Sequence, residues 1–341
     1  MRVSIKDVAE KAGVSNATVS RVFNGYTDVS HNTREKILKI AKELNYVPNS
    51  AARELSSKQF IRIALIINEL ETNRKNSIVL EILTGVHEAA KNLKIDFMLL
   101  FTTELEQKEI SLTEIINKNN VSGAIIQGLK ITDPYFSEIK NMTLPIALID
   151  MSFSAENTFT VSTDNIQAAY DAVSLLIAKG HQKIGMIAGR PQAMVSVDRE
   201  AGYIKCLKEF ELQINDDYIV EADFNEERAS IEAIKLINQR PEITALFVAS
   251  DLMAIGAIRG LNSIGIRVPE DVSVIGFDDS LISEYTRPPL TTVRQNLYQI
   301  GYTAFEALSN EIKGDSEGMK SQYVPYQIIE RESVMKLEKE D

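Results

Sequence analysis

The sequence predicts a small all-α helix-turn-helix head followed by an α/β core of two doubly wound parallel-sheet lobes. Three observations carry that expectation. Within residues 1–58, short capped amphipathic segments flank a turn at Gly13. From Ile61 onward, apolar runs of strand length alternate with amphipathic stretches, the pattern of a parallel sheet covered by helices on both faces. Charge divides near the same boundary: residues 1–58 hold ten Lys and Arg against six Asp and Glu, and the remainder twenty-seven against forty-two, for a net charge of −11. Only the head favours a polyanion.

In the head, Ser4 is a helix cap with Asp7 three residues later, and Ile5, Val8, Ala9 and Ala12 recur at helical spacing up to Gly13. Val14 turns inward and Ser15 caps a second helix. There Val19 and Phe23 share one face, while Asn16, Ala17, Ser20, Arg21 and Asn24 form a small polar face. A third helix follows from Ser30 or Asn32 as cap, Glu35 in the first turn and the stripe Ile37, Ile40, Ala41 and Leu44. Three short helices about a glycine turn suit DNA reading; a generic three-helix cap or dimerisation element has the same pattern. Pro48 is expected to end the third helix. The weakly amphipathic Asn49–Ser57 beyond it is shorter than the roughly 12 residues an isolated helix needs, so its folding requires a partner chain, DNA or both.

In the core, strands are predicted at Ile61–Ile67, Ile95–Phe101, Gly123–Gln127, Ile146–Asp150, Ile184–Ala188, Ala245–Ala249 and Val272–Phe277. These are too many strand-helix units for one small sheet, and two lobes leave a ligand cleft between them.

Cys206 is the sole cysteine, and His31, His87 and His181 are scattered, so neither an intramolecular disulfide nor a zinc site is expected. His181, in a Lys-Gly-His turn, reads as a structural hydrogen-bonding group. No apolar run approaches the roughly 18 residues of a membrane span, and Met1 leads directly into charged residues, so a cytoplasmic protein is expected. Without a G-x-G-x-x-G, Walker A or G-x-S-x-G pattern, and without a paired acid and base, an enzyme is not expected, nor is a cofactor.

The segments "IKDVAEKAGVSNATVSRVFNG" and "TREKILKIAKELNYVPN" resemble the N-terminus of the lactose/galactose repressor (LacI/GalR) family. The resemblance continues through "PNSAARELSSK", "VSTDNIQAAYDAV", "KGHQKIGMIAG", "DREAGY", "VPEDVSVIGFDDS" and "RPPLTTVRQNLYQIG". It implies a DNA-binding head (1–47), a hinge (48–59) and a periplasmic-binding-protein-like effector and dimerisation domain (60–341). Lobe one would run over about 60–162 and 291–321, and lobe two over about 163–290 and 322–335. It places Asn16, Ala17 and Arg21 at base-reading positions. Their chemistry agrees: Arg21 can donate twice to guanine, Asn16 can pair with adenine and Ala17 can touch a thymine methyl. Ser15, Thr18, Ser20 and Asn24 fall to the DNA backbone, with helix capping the competing role for Thr18. Leu55, beside Ala52 and Arg53, matches the hinge leucine that wedges into the minor groove.

The resemblance further implies an effector site at Arg199, Phe224 and Asp278, with Asp150 and Ser250 facing the same cleft. A guanidinium, a carboxylate and an aromatic face together suit a polyol or sugar. Asp251 is a candidate either for the cleft or for capping a helix beginning at Leu252. Three features depart from the family: "NELETNRKNSIVLEILTG" replaces its Asn-Pro-aromatic segment, Met151 stands where Arg is common, and Ser250 stands where some sugar-responsive members have a bulkier amide. The expected partners are double-stranded operator DNA, a small sugar-like effector and a second copy of the chain. "IIERESVMKLEKED" has no heptad repeat, so a dimer is expected rather than a coiled-coil tetramer. A phosphoprotein co-regulator is compatible with the resemblance, but no residue pattern indicates one. The competing reading is a solute-binding protein without a regulatory role.

Overall fold

The computed structural model describes residues 3–23, 26, 28–46, 61–69, 77–153, 155–315 and 321–337. The chain divides into two compact units, Met1–Ile61 and Arg62–Asp341.

The first unit contains α1 (Ile5–Ala12), α2 (Asn16–Phe23) and α3 (His31–Glu43). At the start of α1 the Asp7 carboxylate accepts both the Ser4 N–H at 2.7 Å and the Ser4 hydroxyl at 2.8 Å. Gly13, at φ 67°, ends the helix in a left-handed turn that costs other residues strain. Val8, Ala9 and Ala12 pack against Val19 and Val22 and against Ile37, Ile40 and Ala41, with Val14 and Phe23 at the margin. Ser30 is the cap of α3, its hydroxyl accepting from the Thr33 N–H at 3.3 Å. The expectation that Pro48 ends this helix is corrected. Asn45 adopts φ 51° and the Tyr46 N–H bonds the Ala41 carbonyl at 2.8 Å, which satisfies the last turn and closes α3 at Glu43. The expected hinge, with Ala52, Arg53 and Leu55, lies outside the described residues, as does Asn24.

The second unit holds two sheets. The first contains β1 (Arg62–Asn68), β2 (Asp96–Thr102), β3 (Gly123–Gln127), β4 (Ile146–Ile149) and β5 (Thr158–Ser162). The second contains β6 (Ile184–Ala188), β7 (Ile219–Glu221), β8 (Ala245–Val248), β9 (Ser273–Asp278) and β10 (Thr291–Arg294). Edge strands β11 (Gln322–Tyr323) and β12 (Gln327–Ile329) complete them. The strand orders are β11-β5-β4-β3-β1-β2 and β12-β10-β9-β8-β6-β7, so both lobes have the same winding. All the described pairings are parallel except β10–β12. The two expected doubly wound lobes are therefore present, with one antiparallel edge.

Covering helices include α4 (Ser77–Leu93), the short α5 (Glu104–Glu109), α6 (Leu112–Lys118) and α7 (Pro134–Ile139), then α8 (Asn165–Ala178) and α9 (Met194–Glu209). The series continues with α10 (Glu226–Gln239), α11 (Asp251–Ser263) and α12 (Leu297–Lys313). The chain passes between lobes three times: from β5 into α8, whose Ala168, Ala169 and Ala172 join the second core, from β10 into α12, and from β11 into β12. This corrects the expected return to lobe one at 291. Thr291–Arg294 pairs with β9 and β12 in the second sheet, while Gln322–Tyr323 pairs with β5 in the first. Buried hydroxyl bonding accounts for it: Thr292 Oγ1 donates to Asp251 Oδ1 at 2.5 Å, and the Thr291 N–H donates to Ser333 Oγ at 2.8 Å. The Thr-rich β5 is buried along its whole length, Thr160 donating to the Met151 carbonyl at 2.6 Å.

Candidate functional site

On α2, burial of Val19 and Val22 turns Asn16, Ala17 and Arg21 to solvent. Ser15 Oγ accepts from the Thr18 N–H at 3.1 Å, and the two hydroxyls lie 2.9 Å apart, so both take part in capping α2. Ser20 is half-buried on the same helix. Arg21 Nη1 lies 2.7 Å from Asp28 Oδ2.

In the second unit, strand order reverses between β1 and β3 and again between β6 and β8, the switch points at which open α/β sheets bind ligands. Residues beyond the carboxyl ends of these strands, together with Arg199 from a covering helix, line one cavity of about 340 Å³, and Phe224, Asp278, Asp150 and Ser250 are all among them. Arg199, from α9, is buried. Its Nε donates to Asn165 Oδ1 at 2.9 Å and its Nη1 to the Ala249 carbonyl at 2.6 Å, and its guanidinium lies 3.7 Å from the Phe277 ring centroid. Asp278 Oδ1 is 3.7 Å from Arg199 Nη1 and accepts from Gln295 Nε2 at 2.8 Å. Asp150 accepts from the Ser162 hydroxyl at 2.7 Å.

Burial pushes the carboxyls of Asp150 and Asp278 above the ordinary range, opposed in both by Arg199 and in Asp278 reinforced by the like charges of Asp251 and Asp150. The same burial lowers the Arg199 pKa against the pull of these acids. Several carboxylates thus share one guanidinium.

Ser250 caps α11, its hydroxyl accepting from the Met253 N–H at 3.3 Å, which settles the alternatives for Asp251. Asp251 is the first helical residue. Its carboxylate accepts from the Ser280 N–H at 2.7 Å and from the hydroxyls of Ser283 and Thr292 at 2.6 and 2.5 Å, joining α11 to the loop after β9 and to β10 while lining the cavity. Asp223 and Phe224 adopt φ 55° and 54° in succession, and a side chain on Gly189 would collide with the Phe224 ring. His181 makes the structural bonds expected of it. Its Nε2 donates to the Met335 carbonyl at 3.1 Å, and Nδ1 accepts from Thr244 at 3.0 Å.

Sequence reasoning missed the rim. Lys130 Nζ, 2.8 Å from Glu69 Oε1, and Arg190 Nη1, 3.5 Å from Glu69 Oε2, draw residues of both lobes to one carboxylate. Arg190 Nε also lies 2.9 Å from Asp223 Oδ1, and the Ile131 N–H donates to the Gln192 carbonyl across the cleft at 3.1 Å. Glu69, Lys130 and Arg190 each follow the carboxyl end of a predicted strand, the one signal that pointed to them, whereas Asp223 follows β7, which was not predicted. Ile78 and Val79 line the cavity from α4, within the stretch where the sequence departs from its family.

Comparison with known proteins gives matches over both units. Residues 4–49 match the model of bacterial regulatory proteins of the lacI family, and residues 173–334 match a periplasmic binding protein-like domain. Catabolite control protein A of Priestia megaterium is 34% identical over 335 residues, covering 98% of this chain and 99% of that protein. A lac repressor dimer bound to operator and the anti-inducer ONPF superposes with a TM-score of 0.86 at 30% identity, covering 98% of this chain and 100% of that one. The transcriptional regulator CelR in complex with cellobiose gives a TM-score of 0.74 at 30% identity, covering 97% and 100%. With a helix-turn-helix head and a two-lobed binding core aligned over nearly its whole length to such regulators, the chain belongs to the lacI family of DNA-binding transcription regulators.

Proposed function

We propose that the protein is a cytoplasmic repressor that binds a palindromic operator as a homodimer and is controlled by a small neutral, sugar-like effector in the inter-lobe cleft. The cleft carries the effector reading: a buried guanidinium, hydrogen-bond acceptors and the Phe224 ring line one cavity at the switch points of both sheets. Asp150, Asp251 and Asp278 surround Arg199, and Lys130 and Arg190 are already engaged by Glu69. A phosphate or carboxylate entering the floor would meet like charge, whereas hydroxyl groups find both donors and acceptors. In the head, Arg21, Asn16 and Ala17 read bases, Ser15, Thr18 and Ser20 contact the backbone, and Leu55 of the hinge kinks the duplex. Ligand in the cleft biases the angle between lobes, hence the spacing of the two hinges and the population competent for operator.

The test is a thermal-shift screen of the full chain against neutral sugars and sugar phosphates, with hits titrated into operator complexes selected from random duplexes. A neutral sugar should raise the melting temperature and change operator affinity at least tenfold. A ligand that saturates the cleft and leaves operator affinity unchanged defeats the coupling.

A further inference from the structure

The exposed face of α2 carries an arginine that is already paired. Arg21 Nη1 donates to Asp28 Oδ2 at 2.7 Å, and the two side chains are 58% and 49% exposed. So exposed a pair adds little to folding stability. Its carboxylate also sets a negative charge beside the face assigned to a polyanion, where it opposes binding.

Described residues on both sides of Asp28 are nonetheless anchored. Arg34, from α3, donates Nη1 to the Val22 carbonyl at 3.2 Å and Nη2 to the Tyr26 carbonyl, and the Tyr26 N–H bonds the Arg21 carbonyl at 3.1 Å. On the other side, Val29 packs into the head core and Ser30 caps α3. Asp28 is thereby set between two anchored residues, within reach of a long side chain that would otherwise sample many rotamers.

We propose that Asp28 is a specificity-determining positioning residue, which tethers one donor of Arg21 so that the rest of its fork addresses guanine rather than a phosphate. The inference rests on the assignment of Arg21 to base reading. A guanidinium has five donors; one on Asp28 stops the side chain from swinging and leaves enough for guanine O6 and N7. An untethered Arg21 has the phosphates as competing acceptors, which hold it without reading sequence. Asp28 therefore lowers overall affinity and raises discrimination.

The experiment starts from duplexes selected from random sequence by the full-length protein. Each G·C pair in the selected site is changed to A·T, and the pair whose change weakens wild type but not Arg21→Ala is the one Arg21 reads. At that pair, Asp28→Ala, which removes the acceptor as well as the charge, should reduce the wild-type penalty at least fivefold, while Asp28→Asn, which keeps an acceptor oxygen, and Asp28→Glu should each retain part of it. Asp28→Ala should also steepen the dependence of log K on log salt by about 0.9, because Arg21 is freed for one more phosphate. If Asp28→Ala tightens binding to every duplex equally and keeps the full penalty, the carboxylate acts only through its charge and the inference is wrong. If Arg21→Ala leaves every penalty intact, the base-reading assignment itself falls and takes the inference with it.

Discussion

At the scale of single residues, Arg199 is the side chain on which the cleft depends. Burial disfavours its charge, and it is tolerated because Asp278, Asp150 and Asp251 surround it. Arg199→Ala leaves those acids without their cation and should cost about 3 kcal/mol in urea unfolding of the core. It should also abolish the effector-induced thermal shift while preserving operator binding by the head. His181 offers a separate test. Burial lowers its pKa, so the unfolded chain takes up a proton more readily than the folded one as pH falls below about 6.5. The stability this neutral imidazole contributes is present above that pH and is lost as pH falls toward the depressed folded value. His181→Gln should therefore be less stable than wild type at pH 8, with the gap in urea midpoint narrowing at pH 5; a gap independent of pH would show that proton linkage plays no part.

At the scale of elements, helix pairing in the core depends on close approach. A Cβ on Gly85 of α4 would strike the Tyr298 carbonyl of α12, and one on Gly301 of α12 would strike the Ile82 carbonyl of α4. Each glycine thus makes room for the backbone of the facing helix. Gly85→Val forces the pair apart and should cost about 3 kcal/mol, read as a lower melting temperature of the core with unchanged helical signal from the head. Asp223 and Phe224, consecutive in the left-handed region, pose a different problem: neither is glycine, and the strain is held at the cleft, where Gly189 leaves space for the ring.

At the scale of the whole molecule, the two compact units divide the labour and the charge. Deleting residues 1–60 should abolish salt-sensitive DNA binding in a gel-shift titration and leave the effector-induced thermal shift of the core intact. Loss of both would mean that the units do not function separately. Between the lobes, Glu69 carries the rim. Glu69→Gln removes the carboxylate that Lys130 and Arg190 share, while each keeps another acidic partner, and should weaken effector binding by roughly threefold, a modest figure because these pairs remain partly solvated.

The sequence alone determined the features written in local pattern. Gly13 and Ser15 mark the turn and cap that place Asn16, Ala17 and Arg21 outward, because helix ends are set by a few neighbouring residues. The strands Gly123–Gln127 and Ile184–Ala188 could be read residue for residue, because a buried parallel strand is a continuous apolar run. The Thr-rich β5 and β10 could not. Their Thr160 and Thr292 hydroxyls are tolerated in the interior because Met151, beyond a turn, and Asp251, distant in sequence, accept from them. The return to lobe one was misplaced for the same reason. In the cleft, Arg199 and Asp278 stood out through family resemblance, whereas Glu69, Lys130 and Arg190 are single charges in loops with no periodicity around them. Only tertiary structure made them a site, since Coulomb attraction falls with distance in space and is blind to separation along the chain.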